Sequence, residues 1–227
     1  MHIPDGYLGP ITYGGLWAAM APVWYYASKQ VKKTLQAAQI PLLALSAAFS
    51  FVIMMFNVPI PGGTTGHATG ATLVAILIGP WAAVIAVSIA LVIQALVFGD
   101  GGITALGANC FNMAFAEVLV GYAVFRLIAG RREAAATKGR RFLIGGAAGS
   151  YAGINFAAFL TALELGVQPL LHVGPDGRPL YCPFPLRLTI PAIMLEHIFL
   201  FGVVEALVTV FVLLYLRKSH PALLEGR

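Results

Sequence analysis

The stretch ATGATLVAILIGPWAAVIAVSIALVIQALVF (residues 68–98) decides the fold, because it is apolar throughout and is interrupted once, at Gly79-Pro80. As one straight helix it would be about 46 Å long at 1.5 Å per residue, well beyond a hydrocarbon core of about 30 Å. As two helices that break at Gly79-Pro80, the first has only about 12 residues, or 18 Å. The number of membrane crossings in the whole chain depends on which arrangement the stretch adopts.

The composition indicates that lipid is the solvent for most of the chain. Hydrophobic residues make up 59% of the sequence and charged residues 10%, whereas soluble domains carry about 25% charged residues. Further apolar runs elsewhere in the chain reach or approach the roughly 20 residues that a helix needs to cross a bilayer. They are residues 11–28, 40–58, 103–128, 142–167 and 188–216.

The distribution of Lys and Arg favours two crossings, by residues 68–79 and 80–98. The chain then has seven spans, and 12 of its 14 Lys and Arg residues fall on one side, since only Arg178 and Arg187 lie opposite. With one crossing, basic loops would face opposite sides of the membrane, which the positive-inside rule disfavours.

We therefore predict an all-α integral membrane protein, a bundle of seven transmembrane helices in which residues 1–227 form a single domain. The N-terminus is expected outside and the C-terminus in the cytoplasm, so that the basic loops at 29–39 and 129–141 are both cytoplasmic. The short third helix is tolerable if protein rather than lipid surrounds its start.

Several function classes are excluded or disfavoured by the same sequence. The net charge of +5 follows the membrane topology, which argues against nucleic-acid binding. Cys110 and Cys182 have no metal-type spacing such as C-x-x-C, and nothing in the sequence supports a disulfide between them. No Walker A pattern G-x-x-x-x-G-K-[ST] occurs, so we expect that this chain does not hydrolyse ATP.

The N-terminal stretch MHIPDGYLGP (residues 1–10) places a histidine directly after the initiator methionine. It lacks the basic and apolar regions of a signal peptide, and the bulk of His2 should block removal of Met1. We therefore expect a free amine on Met1. On the predicted topology this terminus lies on the same side as PGGTTGHATG (residues 61–70), a glycine-rich loop that carries His67.

These residues can supply a planar set of nitrogen ligands. A free α-amine has a pKa of about 7.7–8.0 and loses its proton readily to a metal. The amide nitrogen of His2 closes a five-membered chelate ring with that amine, and the His2 Nδ1 atom closes a six-membered ring. With His67 as the fourth donor, the set suits Ni(II) or Cu(II), whereas zinc prefers a tetrahedron. Cobalt is not excluded.

On spacing alone, ordinary structural roles are the more common explanation of the same residues. A histidine at position 2 is usually an unordered terminal residue, and a histidine alone in a loop is usually polar surface. Asp5 is open to two interpretations: it orients the His2 ring through a hydrogen bond, or it caps the helix that starts near Tyr7.

Three motifs in order resemble the CbiM/NikM family, the membrane substrate-binding (S) subunit of the nickel/cobalt energy-coupling-factor (ECF) transporters. They are MHIPDGYLGP, PGGTTGHATG and ALGANCFNMAFAE (residues 105–117), and the resemblance runs along essentially the whole chain. It implies a seven-helix bundle with the N-terminal segment, residues 1–10, inserted into the pocket. It also implies that Met1, His2 and His67 hold the metal.

The resemblance further implies a non-catalytic subunit of the cell membrane that captures Ni2+ or Co2+ and needs no cofactor. Its partners would be a transmembrane coupling (T) subunit, a pair of cytoplasmic ATPases and a small accessory membrane protein. The rival hypothesis from the residues is a stand-alone proton-coupled secondary transporter for a divalent metal. Replacing Glu196 or Glu205 with Gln should abolish uptake by such a carrier and leave metal binding by the capture subunit intact.

Polar side chains in or beside the apolar runs complete the candidate pocket. Asn109 and Asn112 are three residues apart, so that one helical face can carry both. They either bond to a neighbouring helix or fix the His67 loop or the N-terminal segment. Thr64 and Thr65 are expected to satisfy backbone groups beside His67.

Four ionisable residues lie within apolar runs: Glu117, Glu196, His197 and Glu205. Charges inside a membrane are costly and often functional, so these residues either link helices, relay protons or contact a partner.

The proline- and glycine-rich loop 166–187 is interpreted as a lid or as a compact connector. Small residues occur at four-residue spacing and fit close helix–helix interfaces: Gly15 with Ala19, and Gly145 with Gly149. The same spacing is only weak evidence for an interface with a partner subunit.

Overall fold

The computed structural model describes residues 1–130 and 139–224. Most of the predicted basic loop at 129–141 therefore lies outside the described residues. In the described part, helices dominate and a single two-stranded hairpin interrupts them. The α-helices are α1 (Pro10–Thr34), α2 (Ile40–Met54), α3 (Ala71–Ile78), α4 (Pro80–Ile93), α5 (Leu106–Asn109), α6 (Glu117–Ala129), α7 (Arg140–Gly166), α8 (Gln168–Leu171), α9 (Leu186–Glu196) and α10 (Gly202–Ser219).

Several of these helices join end to end through short π-helical segments. Gln94–Phe98 extends α4, Cys110–Ala116 joins α5 to α6, and His197–Phe201 joins α9 to α10. One 3-10 turn, Ala37–Gln39, precedes α2, and another, Pro221–Leu223, follows α10. The described residues thus form seven helical segments separated by loops. π-helical turns often occur at functional sites, and here all three lie in segments that border the candidate site.

Four of these segments are long and apolar enough to cross a membrane, judged by length and composition over the described residues. They are Pro80–Phe98, Leu106–Ala129, Arg140–Leu171 and Leu186–Ser219. The helix α3 has only 8 residues, or about 12 Å. It is buried along most of its length by other helices, so that its surroundings are protein.

The break at Gly79-Pro80 has a clear backbone cause. Gly79 has φ +89°, a conformation that residues with a Cβ rarely adopt. Pro80 then begins α4, where its missing N–H costs nothing. This pair lies beside Thr34, at the end of α1, and Gln39, before α2.

The second apolar run differs from its predicted extent, residues 40–58. α2 ends at Met54, and Val58–Ile60 forms a β-strand that pairs antiparallel with Thr64–Gly66. The structure is therefore not all-α in the strict sense. The hairpin lies at what we call the site end of the bundle, together with residues 1–9, 99–105 and 167–185; the far end carries Gly79.

The core has two centres. α4 packs against α1, α2 and α3, whereas α7 packs against α6, α9 and α10. Glycines let α6 and α7 approach closely: a Cβ on Gly149 would lie 2.5 Å from the backbone oxygen of Gly121. The pair Gly145 and Gly149 thus lies in a close helix–helix interface, as its spacing predicted, and this interface is with α6 of the same chain. Gly15 is exposed, with nothing within 4 Å of a Cβ built there.

Candidate metal centre

The hairpin carries His67 from the site end into the bundle. Strand residues Val58 and Gly66 are partners, and Gly62 and Gly63 make the turn with φ of +114° and +91°. These values lie in the region that favours glycine. Beyond the hairpin, residues 66–70 are all buried, and His67 is 0% exposed.

The N-terminal residues are buried beside this hairpin. Met1 is 0% exposed and His2 3%. The Met1 amine donates a hydrogen bond to the backbone oxygen of Thr65, and Thr64 Oγ1 donates to the His2 backbone oxygen at 2.8 Å. Both threonines expected in the pocket therefore hold the first two residues, one through its backbone and the other through its side chain.

Asn109 fastens the next residue of the N-terminal segment. Its Oδ1 atom accepts from the Ile3 N–H at 2.9 Å, and its Nδ2 atom donates to the Ile3 oxygen at 3.1 Å. Asn112 points elsewhere: its Nδ2 atom donates to Glu164 on α7 at 2.8 Å and to Thr161 at 3.2 Å. The two amides thus divide the two predicted roles between them, because the π-helical segment that begins at Cys110 changes the angular spacing.

The two histidine rings face each other with a centroid separation of 4.6 Å and an interplanar angle of 32°. His67 Nδ1 lies 3.1 Å from the Ala68 backbone oxygen, and His2 Nε2 lies 3.2 Å from Gln94 Oε1. Both partners are acceptors, so these two nitrogens carry the hydrogens. The opposite nitrogens, His2 Nδ1 and His67 Nε2, are buried lone-pair acceptors for which the described residues supply no hydrogen-bond donor.

Burial keeps the amine and both rings in their neutral, ligating forms. It lowers the pKa of the Met1 amine from 8.0 to about 4, although Asp100 and Glu117 oppose the shift. It lowers the pKa of His2 from 6.5 to about 3, with a further contribution from the Met1 amine. The pKa of His67 is also held well below its ordinary value, chiefly by burial. Neutral nitrogens are the ones that bind metals.

Asp5 has neither of the roles proposed from the sequence. Its carboxylate accepts hydrogen bonds from the backbone N–H groups of Ile103 and Thr104, at 3.0 and 2.8 Å, and from the Thr104 hydroxyl. Burial raises the pKa of Asp5, but these hydrogen bonds together outweigh burial and lower the pKa below its ordinary value. Asp5 thus ties the N-terminal segment to the loop before α5 and does not contact the His2 ring.

Three residues near the rings were missed by the sequence analysis. Gln94 orients His2 as described. Asp100 Oδ1 lies 3.4 Å from His2 Nδ1, and Asn57 Nδ2 donates to Asp100 Oδ2 at 3.0 Å. Burial raises the pKa of Asp100, while the Met1 amine and the Asn57 hydrogen bond oppose the rise. A single amide in the apolar run 80–98 was the available signal for Gln94, and a carboxylate among the glycines of GDGG (residues 99–102) was the available signal for Asp100.

Two buried carboxylates bind the backbone and side chain of the residues that follow His67. Thr69 Oγ1 donates to Glu117, and Glu205 accepts from the N–H groups of Thr69 and Gly70 at 2.8 and 2.9 Å. Glu117 and Glu205 are both 0% exposed. They link α6 and α10 to the start of α3, which agrees with an interhelical role and leaves proton relay as an alternative.

The adjacent residues Glu196 and His197 point in different directions, as their spacing predicts. Glu196 is half-buried, whereas His197 is buried and its Nδ1 atom donates to the Ile193 oxygen at 2.8 Å.

The loop 166–187 lies against the N-terminal segment. Gln168 Oε1 accepts from the Gly9 N–H at 3.0 Å, and the Cys182 N–H donates to the Tyr7 oxygen at 3.1 Å. The His172 ring leaves no room for a Cβ on Gly9. These contacts show that the loop covers residues 7–9, and both interpretations of it, lid and connector, stay open.

Side chains alone do not make a metal site here: within residues 1–130 and 139–224, no group of three or more His, Cys, Asp or Glu side chains is placed to hold an ion. Two facing imidazole acceptors beside a neutral amine nevertheless form a compact set of nitrogen donors. Nitrogen-only sets suit Ni(II) and Cu(II), so the residues present fit a metal ion as cargo.

Comparisons with known proteins agree with this arrangement. The family model for CbiM, described as the cobalt uptake substrate-specific transmembrane region, matches residues 2–223. The chain is 52% identical over its full length to the fused nickel transport protein NikMN of Rhodobacter capsulatus. It is 48% identical over 97% of its length to the probable fused nickel transport protein LarMN of Lactiplantibacillus plantarum.

The chain spans 65% and 66% of the length of these two relatives. It is also similar to a crystal structure of a truncated transition metal transporter, with a TM-score of 0.91 and 52% identity. That similarity covers 97% of this chain and 100% of the solved one. The matches confirm the family that the three motifs indicated, and the chain belongs to the CbiM family of membrane proteins.

Proposed function

We propose that this chain is the high-affinity capture subunit of an ATP-driven ECF-type importer for Ni2+ or Co2+. The ion binds the Met1 amine, the His2 amide nitrogen and Nδ1, and His67 Nε2. The main support for this proposal is the pair of buried acceptor nitrogens, His2 Nδ1 and His67 Nε2, on two rings whose centroids lie 4.6 Å apart. The nickel transport names of relatives at 48–52% identity support the choice of cargo.

The remaining parts of this proposal follow from the family and the charge distribution. The chain lies in the cell membrane with its N-terminus outside and its C-terminus in the cytoplasm. A transmembrane coupling subunit and a cytoplasmic ATPase pair supply the energy, together with a small accessory membrane protein. The ion is cargo, and no cofactor takes part.

A one-residue extension of the N-terminus tests the ligand set. A chain that starts Met-Ala-Met-His loses its first methionine, because alanine is small, and so presents alanine before Met1. The amine then no longer closes a five-membered ring with the His2 amide nitrogen. We expect the Ni2+ affinity to fall by more than about 100-fold, beyond the loss that removal of an orienting partner causes, when measured by titration calorimetry.

The unextended protein should show the absorption and diamagnetism of planar Ni(II), and competition with Co2+ gives the preference between the two ions. An extended protein that binds Ni2+ with unchanged affinity, or an octahedral Ni(II) spectrum of the unextended one, would overturn the ligand set. An alanine added after the last residue is the matched control.

The second candidate function is a stand-alone proton-coupled secondary transporter, which the buried pair Glu117 and Glu205 favours. Vesicles that contain this chain alone separate the two proposals. A pH gradient that drives Ni2+ uptake without any ATPase supports the carrier, whereas uptake only in the presence of ATP and the partner subunits supports the capture subunit. Glu205→Gln does not separate the two proposals, because Glu205 also holds the backbone beside His67.

A further inference from the structure

A cavity of about 490 Å³ opens beside the candidate metal centre at the site end of the bundle. We call this cavity the vestibule. Its walls come from four parts of the chain: the N-terminal segment with His2, the hairpin residues 59–65, the loop 99–101 and Phe184. The hairpin and the N-terminal segment are the elements that carry His67 and Met1, so an ion in the vestibule is next to the predicted ligands.

Asp100 is the one residue among the described lining residues with a formal charge at neutral pH. Neither lysine nor arginine is among these described lining residues, so the charge that they present to the vestibule is of one sign. The Asp100 side chain is 19% exposed, which leaves it accessible from the vestibule. Clefts lined by one sign of charge raise the association rate of the opposite charge by about 10- to 1,000-fold.

Two contacts hold the Asp100 carboxylate in a defined orientation. The Asp100 N–H donates to the Gln94 backbone oxygen at 3.0 Å, and Asn57 Nδ2 donates to Oδ2 at 3.0 Å. The other oxygen, Oδ1, faces His2 Nδ1 at 3.4 Å. Gln94 fixes the hydrogen of His2 on Nε2, so His2 Nδ1 carries a lone pair. This lone pair and the negative Asp100 Oδ1 atom face each other across the 3.4 Å.

Such a pair fits a divalent cation between its atoms. First-row metals bind nitrogen and oxygen at about 2.0–2.2 Å, so atoms 3.4 Å apart can share one ion with an angle of roughly 110° at the metal. A planar square requires angles of 90°, so this shared position differs from the final geometry.

We propose that Asp100 is the receiving ligand for the cargo, an entry site for a hydrated divalent cation in the vestibule. One water leaves the ion as Asp100 Oδ1 binds, and another leaves as His2 Nδ1 binds. The carboxylate and the remaining waters then dissociate as the other nitrogens complete the square, and the proton that the His2 amide nitrogen gives up on binding the ion passes to water in the vestibule. This inference rests on the proposed function, because it gives the route by which the ion reaches Met1, His2 and His67.

Stopped-flow absorption with NiCl2 and the purified full chain in nanodiscs tests the entry site. Asp100→Asn keeps the shape of the side chain and an acceptor for Asn57. We expect its association rate constant to be about 10-fold lower than that of the unchanged protein, the lower end of the range for steering. The rate should also depend less on ionic strength, while the final Ni(II) spectrum stays the same.

Two variants serve as controls. Asp100→Glu retains the charge and should recover most of the rate. Asp176→Asn removes a carboxylate from the exposed loop after α8, where the Asp176 side chain is 62% exposed and does not line the vestibule; it should leave the rate unchanged. If the Asn variant does not fold, as judged by its melting temperature, Asp100→Ser replaces it in the same measurement.

An association rate of Asp100→Asn equal to that of the unchanged protein would overturn the entry site, and so would an equal loss in Asp176→Asn. Failure of the proposed function looks different: the unchanged protein would then not form the planar Ni(II) spectrum at all.

Discussion

The two sides of the His2–His67 pair differ in how they place negative charge. On the vestibule side, Asp100 is partly exposed, and the described lining carries no cation. On the helix side, Glu117 and Glu205 are fully buried, and their oxygens accept hydrogen bonds from Thr69 and Gly70. The carboxylate on the vestibule side can exchange ligands with water, whereas the two on the helix side already bind Thr69 and Gly70, and this difference agrees with the proposed entry of the ion from the vestibule.

The boundary between the two sides is His67, and its removal should have the largest effect. His67→Ala deletes one of the four predicted nitrogen donors. We expect the Ni2+ affinity to fall by more than about 100-fold, beyond the cost of losing a partner that merely orients a ligand. Titration calorimetry measures the change, with His220→Ala at the exposed far end as control. Equal affinities of the two variants would remove His67 from the site.

A change on the helix side should have an intermediate effect. In Glu205→Gln, one carboxylate oxygen becomes an NH2 group that cannot accept from the N–H of Thr69 or Gly70. The backbone beside His67 then loses a charged hydrogen-bond acceptor, and we expect Ni2+ affinity to fall by about 10- to 100-fold, as for other partners that position metal ligands. The melting temperature should fall as well.

Glu196→Gln is the matched control for that change, since Glu196 is half-buried and outside the centre. An unchanged affinity in Glu205→Gln would show that the helix side does not position His67. The structure also revises the sequence-based expectation that a Gln at this position leaves metal binding intact.

Asn109 and Asn112 allow a further comparison, between a residue that holds the N-terminal ligands and one that only links helices. Asn109→Ala removes both side-chain bonds to Ile3, which loosens the N-terminal ligands, and should weaken Ni2+ binding by about 10-fold. Asn112→Ala removes bonds to α7 only; it should lower the melting temperature and leave the affinity unchanged. Calorimetry and thermal unfolding of both variants test these expectations. Weaker Ni2+ binding in Asn112→Ala with unchanged binding in Asn109→Ala would contradict the roles given to the two residues.

The smallest expected effect is a pH dependence of the metal-free protein. Folding lowers the pKa of the Met1 amine from 8.0 to about 4 and that of His2 from 6.5 to about 3. The unfolded chain therefore binds protons that the folded chain does not, so these groups reduce the free energy of unfolding as the pH falls from 8 toward 4. The melting temperature between pH 8 and 5 measures the effect.

In His2→Asn the side chain stays neutral, so the decrease in melting temperature should be shallower below pH 6.5. A decrease that is equally steep in both proteins would mean that His2 does not contribute.

The sequence predicted more of the ligands than of their surroundings. Met1, His2 and His67 could be proposed because chelate rings are local in the chain and glycines around His67 indicate a close backbone approach. The apolar runs and the Gly79-Pro80 pair indicated seven helical segments for the same reason: hydrophobicity and backbone conformation are local properties.

The surroundings depend on contacts between distant parts of the chain. Glu205 and Thr69 are 136 residues apart, and Asp100 reaches His2 only because the loop after Gln94–Phe98 folds back on the N-terminal segment. The hairpin was missed because its strands have 3 residues each, and one of them contains Pro59. No pattern within a short window carries this information.

The glycine contact between α6 and α7 has a mechanical consequence. Because no side chains separate Gly121 from Gly149, the backbones of α6 and α7 are in direct contact. We therefore expect the two helices to behave as one rigid body when the rest of the bundle moves.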